Sequence, residues 1–383
     1  MAIEPESGNV LIKGLAQNVK DEKPLLSWSI DGEKHEKPLP GTTYSSAIHE
    51  IVLVVRELSV EFAGIGHRVV HGGEYFYESV LIDDAVVKKI NNCTHLAPLH
   101  NPVNIIGIEM MQKEFPTLPQ VAVFDTAFHQ TMPKYAYIYP LPYAYYQKYE
   151  VRRYGFHGTS HRFVILEAAR KLGIPLEKTS FITAHLGNGC SLCATARGKS
   201  VDTSMGMTPL EGLVMGERSG DIDPSLVGYL ADKLHCSATD ITEILNTKSG
   251  LLGISGISGD MRQLENEEKM ENERAMLAIQ IFCYRLAKYI ASFMVPLHHL
   301  DALIFTGGIG ENSVLIRSHV IQWLKIFGFK LDEKKNTSHG ALSNGIISET
   351  NHSPLIMVIP TNEELLIARD AAMVIKNHNQ GSR

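Results

Sequence analysis

Asp125 closes a run of four apolar residues, Val121-Ala-Val-Phe124, and is followed by Thr-Ala-Phe-His129. The run reads as a short buried strand. The carboxylate then stands at a strand's C-terminal end, where open α/β sheets gather ligand-binding residues. A buried carboxylate needs a cation, a metal or a proton beside it, although a cap or a turn acceptor would also account for it. Arg68 lies in a second apolar stretch, Gly66-His-Arg-Val-Val70, ahead of His71-Gly-Gly73. It is either a surface arginine lying along the strand or an anion contact. Arg218, in Met215-Gly-Glu-Arg-Ser-Gly220, sits between glycines with no apolar periodicity and can reach a ligand. Gly155-Phe-His-Gly-Thr-Ser-His161 opens a helix with two histidines, and a helix N-terminus suits an anion. In Pro360-Thr-Asn-Glu-Glu364, Thr361 and Glu364 match a capping box, which leaves Glu363 for a ligand. Arginines for phosphoryl oxygens, acids for a magnesium ion and glycine loops for a polyphosphate are the parts that phosphoryl transfer requires.

The elements that must hold these residues are α/β in pattern. Strands are expected at Leu25–Ile30, Ala63–Val70, Val121–Phe124, Ala302–Phe305 and Leu355–Ile359, and helices at Ser45–Leu58, Val103–Lys113 and Ser160–Leu172. Phe181–Ala196 reads as strand, Asn-Gly turn, strand, with a Gly187-Asn-Gly189 tip whose N–H groups could meet an anion. Cys190 and Cys193 form a lone C-x-x-C on opposite faces of that strand, a poor zinc site. Ala302–Phe305 runs into Thr306-Gly-Gly308-Ile-Gly310-Glu-Asn312, a glycine turn that is no standard nucleotide motif. A helix from Asn272 to Val295 carries an apolar seam of Ala275, Ile279, Phe282, Leu286, Tyr289 and Phe293, for a core or a dimer face. Tyr135–Tyr149 reads as a tyrosine-rich, loop-like hinge. Glu6-Ser-Gly-Asn9 reads as a hairpin turn with almost no chain before it to supply the entering strand.

With 383 residues, two domains are expected, and strand-end polar residues with glycine loops in both halves suggest two α/β domains facing across a cleft. A net charge of -6 without a long basic run argues against nucleic acid or an anionic membrane as partner. No apolar stretch spans a bilayer, the N-terminus carries no secretory pattern, and five cysteines suit a reducing cytoplasm.

Taken in order, Gly66–Gly73, Ala97-Pro-Leu99-His100-Asn-Pro102, Val123–Pro133, Tyr154–His161, His185–Gly189 and Pro360–Glu364 resemble the acetate kinases. The resemblance runs from about residue 8 to the C-terminus. It implies two ribonuclease-H-like domains of the actin-like, sugar-kinase ATPase superfamily. The first would comprise 1–127 with 365–383, and the second, for nucleotide and dimerisation, 128–364. The implied reaction is ATP + acetate ⇌ ADP + acetyl phosphate, by direct in-line transfer with magnesium (or manganese), in a cytoplasmic homodimer. By resemblance, Arg68 holds the acetate carboxylate, Arg218 and His157 stabilise the moving phosphoryl, Asp125 is the essential acid and Glu363 a magnesium ligand. Val70, Leu99, His100, Phe156 and Pro209 line the substrate site, and a narrow pocket at Val70 favours acetate over propionate. Nucleotide contacts come from His185, Leu186, Gly187, Asn188 and Gly189, from Asp260, Met261 (usually Phe in the family) and Arg262, and from Gly308, Ile309, Gly310, Glu311 and Asn312. Family members begin with a strand and an Asn-x-Gly-Ser-Ser-Ser-x-Lys loop. This chain has no such segment, so a truncated, weakly active and less stable form is expected. A short-chain acyl or propionate kinase, a weak nucleotide-binding form and a structural actin-like protein are the alternatives.

Overall fold

The computed structural model describes residues 1–20, 23–58, 60–98, 100–350 and 354–381. The chain divides into two compact units, Met1–Phe128 with Asn362–Arg383, and His129–Thr361.

The first unit begins with an antiparallel meander: β1 (Ala2–Ile3), β2 (Val10–Gln17), β3 (Leu25–Ile30) and β4 (Glu33–Pro38). The strand entering the hairpin, for which almost no chain was expected, is the short Ala2–Ile3, pairing with Ile12 and Val10. β4 escapes sequence reading because Glu33-Lys-His-Glu-Lys-Pro38 is a charged, solvent-facing edge without alternation. Helix α1 (Tyr44–Arg56) starts on a capping box between Thr43 and Ser46. Then come β5 (Ile65–Val69), β6 (Val80–Leu81), α2 (Asp84–Asn92), α3 (Asn101–Glu114) and β7 (Gln120–Phe124). β7 is central, with β5 parallel on one side and β6 antiparallel on the other. Val121 and Val123 pack beneath the C-terminal helix (Glu363–Gly381), and Ala122 and Phe124 pack toward Ile90 and Ile108. Burial on both faces explains the unbroken apolar run. Each buried valine contributes about 1.5–3 kcal/mol relative to exposure.

The C-terminal helix is not capped as expected. Asn362 is its cap, its Oδ1 accepting from the Leu365 N–H at 3.0 Å. The Thr361 N–H instead donates to Glu311, and its hydroxyl lies 2.8 Å from that of Ser160.

In the second unit the tyrosine-rich span is helical: α4 (Lys134–Tyr137) and α5 (Tyr143–Tyr149). After α6 (Gly158–Leu172) come β8 (Ser180–Leu186), β9 (Cys190–Ala196) and β10 (Lys199–Thr203). The expected hairpin is present, with Leu186 opposite Cys190 across Gly187-Asn188-Gly189. A helical region follows: α7 (Ser225–Leu234), α8 (Ala238–Thr247), α9 (Gly250–Ser255), α10 (Met261–Lys269) and α11 (Glu273–Ser292). Then come β11 (Ala302–Thr306), α12 (Gly307–Asn312), α13 (Val314–Leu324), α14 (Glu333–Thr337) and β12 (Leu355–Val358). The sheet order is β10-β9-β8-β11-β12, with β8, β11 and β12 parallel. On α11, Ala275, Ile279, Phe282 and Leu286 are buried inside the unit, among α9, α10 and α13. Tyr289 departs from the seam and donates to Asp221. Among the described residues no helix is long and apolar enough to cross a membrane.

Candidate functional site

In the first unit, β5 and β7 run parallel with Arg68 opposite Val123, which brings the Arg68 side chain to the carboxylate just past the end of β7. Its guanidinium grips Asp125 with both arms, Nε to Oδ1 at 3.0 Å and Nη2 to Oδ2 at 2.5 Å. Asp125 is buried (1% exposed) while the Arg68 side chain is 48% exposed. This fork answers the question left by the sequence: Arg68 is the cation that offsets the strand-end carboxylate. The neighbouring carboxylate holds the arginine's pKa above its ordinary value. Glu363, in the first turn of the C-terminal helix, joins this group electrostatically. Burial, then the Asp125 charge, push its pKa up to about 7, against the pull of Arg68.

The chain leaving β5 is clamped from α3. Asn104 Oδ1 accepts from Val70 N, and Asn101 Oδ1 from His71 N, at 3.1 and 3.2 Å. The Asn101 amide also donates to the His71 carbonyl at 3.0 Å, and Gly72 N donates to Thr126 Oγ1 at 3.0 Å. These side chains hold Val70 and were missed in the sequence, where Asn101 and Asn104 stand one helical turn apart. His100 is exposed at the start of α3. Leu99 lies outside the described residues.

In the second unit His157 occupies the cap position of α6 in the left-handed region, φ 56° and ψ 23°. Such backbone in a non-glycine residue persists only where its surroundings hold it. Its Nδ1 lies 2.9 Å from Ser191 Oγ on β9, and its ring lies against that of His185, centroids 4.4 Å apart. Ser160 Oγ is 2.7 Å from His185 Nδ1. Thr159 Oγ1, buried in the same first turn, has no hydrogen-bond partner among the described residues. Phe156 is buried, and its carbonyl accepts from His129 Nε2 at 3.0 Å.

Arg218 arrives from a braced segment. Met215 N donates to the Arg218 carbonyl at 3.1 Å, Gly216 N to the Asn188 carbonyl at 2.9 Å, and Ser249 N to the Glu217 carbonyl at 2.8 Å. Further back, Glu211 takes Arg153 Nη2 at 2.5 Å and the Tyr139 hydroxyl, and Asp221 takes Gly212 N at 2.8 Å. The guanidinium donates from Nη1 to the Pro209 carbonyl at 3.2 Å, and burial lowers its pKa. Over Gly189 the Arg218 and His157 side chains converge. A first side-chain carbon at Gly189 would lie 3.4 Å from Arg218 Nη1 and 3.5 Å from His157 Nε2. The opening between them is the space that the missing side chain leaves.

The remaining expected nucleotide residues fall into two groups. Gly216 and Gly259 approach so closely that a carbon on Gly259 would lie 2.8 Å from the Gly216 carbonyl, which joins the Asn188 loop to the start of α10. There Asp260 caps α10 and pairs with Arg262 at 2.6 Å, and Met261 is buried. Leu186 is buried at the end of β8. Gly308, Ile309, Gly310 and Asn312 all lie on α12, where the Asn312 amide donates back to the Gly308 carbonyl at 2.9 Å. Glu311 turns inward: its Oε1 accepts from Gly307 N at 2.9 Å and Thr361 N at 3.1 Å. Beneath α12 the fully buried Arg317 donates to the carbonyls of Gly310 (2.8 Å) and Glu311 (3.0 Å), a support the sequence does not reveal.

The acetokinase family model matches residues 1–369. The chain belongs to the acetokinase family. Its members include an acetate kinase of Shewanella sp. (strain ANA-3), 51% identical over 97% of this chain and 94% of that one. The structure is similar to the crystal structure of a propionate kinase from Francisella tularensis subsp. tularensis SCHU S4 (TM-score 0.91, 48% identity, 96% and 94% covered). It is equally similar to Porphyromonas gingivalis acetate kinase (TM-score 0.91, 40% identity, 97% and 95% covered). The mixed α/β ATPase fold and membership of a phosphotransferase family follow. The coverage does not support a truncated chain, and that expectation is withdrawn.

Proposed function

We propose that this protein transfers the terminal phosphoryl group of ATP to acetate, giving ADP and acetyl phosphate, and catalyses the reverse. The observation that carries this reading is the convergence of His157 Nε2 and Arg218 Nη1 on one point above Gly189. Two preorganised side chains there suit the equatorial oxygens of a phosphoryl group in flight, Arg218 as a donor and His157 as one once its ring is doubly protonated. Acetate is already an anion, so the attacking oxygen needs no general base. Asp125 accordingly acts by holding Arg68, which binds the acetate carboxylate. Val70, His100, Phe156 and Pro209 bound the acetyl side. The loops at His185–Gly189, Asp260–Arg262 and Gly308–Asn312 take the nucleotide, Glu311 by holding its turn in shape.

The donor chemistry fits magnesium. Glu363 is an oxygen ligand whose charge is disfavoured by burial and by Asp125, so a hard cation would relieve it. When bound, the ion would supply charge neutralisation on the phosphates. The reading includes a cytoplasmic homodimer, which the family resemblance supports.

The test is hydroxamate formation by the purified protein with ATP and acetate, with propionate in parallel. Acetate is expected to have the higher kcat/KM, by about 10- to 200-fold for one methylene. A propionate preference would favour the second reading, a propionate kinase, which the 48%-identical Francisella structure motivates. No ATP-dependent product from either acid would refute both.

A further inference from the structure

Behind His157 lies a chain of buried polar side chains that the reaction does not touch. His157 Nδ1 is 2.9 Å from Ser191 Oγ, and His161 Nε2 is 2.8 Å from the same oxygen. On the other side of its ring, His161 Nδ1 is 2.6 Å from Thr183 Oγ1, and that hydroxyl donates to the Cys193 carbonyl at 3.4 Å. Ser191, His161 and Thr183 are all fully buried. Burial also holds the His161 ring neutral, well below the ordinary histidine range.

The direction of the hydrogens follows from the last link, because a carbonyl can only accept. With the Thr183 hydrogen on the Cys193 carbonyl, the Thr183 oxygen accepts from His161 Nδ1–H. His161 Nε2 then carries a lone pair and accepts from the Ser191 hydroxyl. The Ser191 oxygen in turn accepts from His157 Nδ1–H. Every hydrogen in the chain has one acceptor. The other ring nitrogen of His157 agrees. His157 Nε2 shares its opening with the Arg218 guanidinium, and a lone pair beside that cation is favoured over a second N–H. Among the described residues, the charged and titratable groups around the ring include Arg218, His185 and His161, with the Cys190 thiol nearby, pushed up to about 12 by burial.

We propose that Thr183, His161 and Ser191 are positioning residues that fix the proton of His157 on Nδ1, so that Nε2 alone faces the phosphoryl group. This rests on the proposed function only for its kinetic consequence. A donor at Nε2 then requires the doubly protonated ring, whose Nδ1 proton the chain is already set to accept. Reversal of the chain would place the single proton of the neutral ring on Nε2 instead.

Long-range 1H–15N spectra of the imidazoles give the tautomer directly, with His157→Gln identifying the signals. The wild type, at a pH where the ring is neutral, is expected to show the Nδ1–H form. Thr183→Val, equal in shape, removes the terminal link. With no acceptor left at Nδ1, His161 then moves its proton to Nε2, the Ser191 hydroxyl turns, and His157 is expected to change to Nε2–H. Thr183→Ser should restore the Nδ1–H form. Ser191→Ala, which adds no bulk, should also lose it. In both disabled variants kcat should fall about 10- to 100-fold, by analogy with the loss when partners that fix a metal-ligating histidine are removed, with KM values within about twofold. An Nε2–H wild type, or a His157 tautomer unchanged in both Thr183→Val and Ser191→Ala, would overturn the proposal. A wild type without kinase activity would overturn the function while leaving the spectra to decide the chain.

Discussion

Asp125→Asn is the most informative single change in the first unit. The Arg68 fork uses both carboxylate oxygens, at 3.0 and 2.5 Å. An asparagine keeps one acceptor and turns an NH2 group toward the other arm. One charge-assisted bond is lost, worth about 1.5–3 kcal/mol when buried. Because the Arg68 side chain is 48% exposed, water replaces part of that loss. The arginine also regains up to about 2 kcal/mol of rotamer freedom that the fork had removed. A net loss of about 2 kcal/mol in preorganisation corresponds, at about 1.4 kcal/mol per tenfold, to about 30-fold in kcat/KM for acetate. Hydroxamate kinetics across acetate concentrations measure this, and thermal unfolding of the same samples separates it from misfolding. A folded variant within threefold of the wild type would refute the assignment of Asp125 as the group that aims Arg68.

Three further changes test other parts of the site. Glu363 takes up its proton at about 7 in the folded chain against an ordinary 4.5. Between those values the folded state holds the extra proton, so stability without metal should fall as pH rises from about 4.5 to 7. Denaturant unfolding at several pH values should show that fall reduced in Glu363→Gln, and magnesium should stabilise the wild type more at the upper end. An equal fall in both proteins would contradict this. Gly189→Ala puts a methyl 3.4 Å from Arg218 Nη1. We expect kcat to drop at least about 10-fold through misplacement of the reacting group, with little change in Tm; an active variant would remove the phosphoryl site from this opening. Arg317→Met leaves the Gly310 and Glu311 carbonyls and Asn336 Oδ1 without their donor. At about 1–3 kcal/mol per orphaned group, a loss of at least about 3 kcal/mol is expected in chemical denaturation, and unchanged stability would argue against the clamp.

Much was legible along the chain because the signals are local. The apolar run before Asp125, the Asn-Gly hairpin tip and the α11 seam each specify their own element by periodicity or turn chemistry. Even there, competition between neighbours decided details. Thr361 and Glu364 fit a capping box, yet Asn362, one residue on, caps the helix because Thr361 is taken by Glu311 and Ser160. The β4 edge was illegible because a strand exposed on both faces has no hydrophobic pattern to read.

The sequence by itself determined the family through its ordered motifs, and it nominated the residues proposed to carry chemistry. What only the tertiary structure decided is how they are held. Arg68 and Asp125 are 57 residues apart and become a fork because β5 and β7 pair in parallel register. His157 and Ser191 are 34 apart and meet because β9 lies beside the start of α6. Such partners leave no local trace, since a hydrogen bond between distant residues depends on strand register and helix placement rather than on spacing.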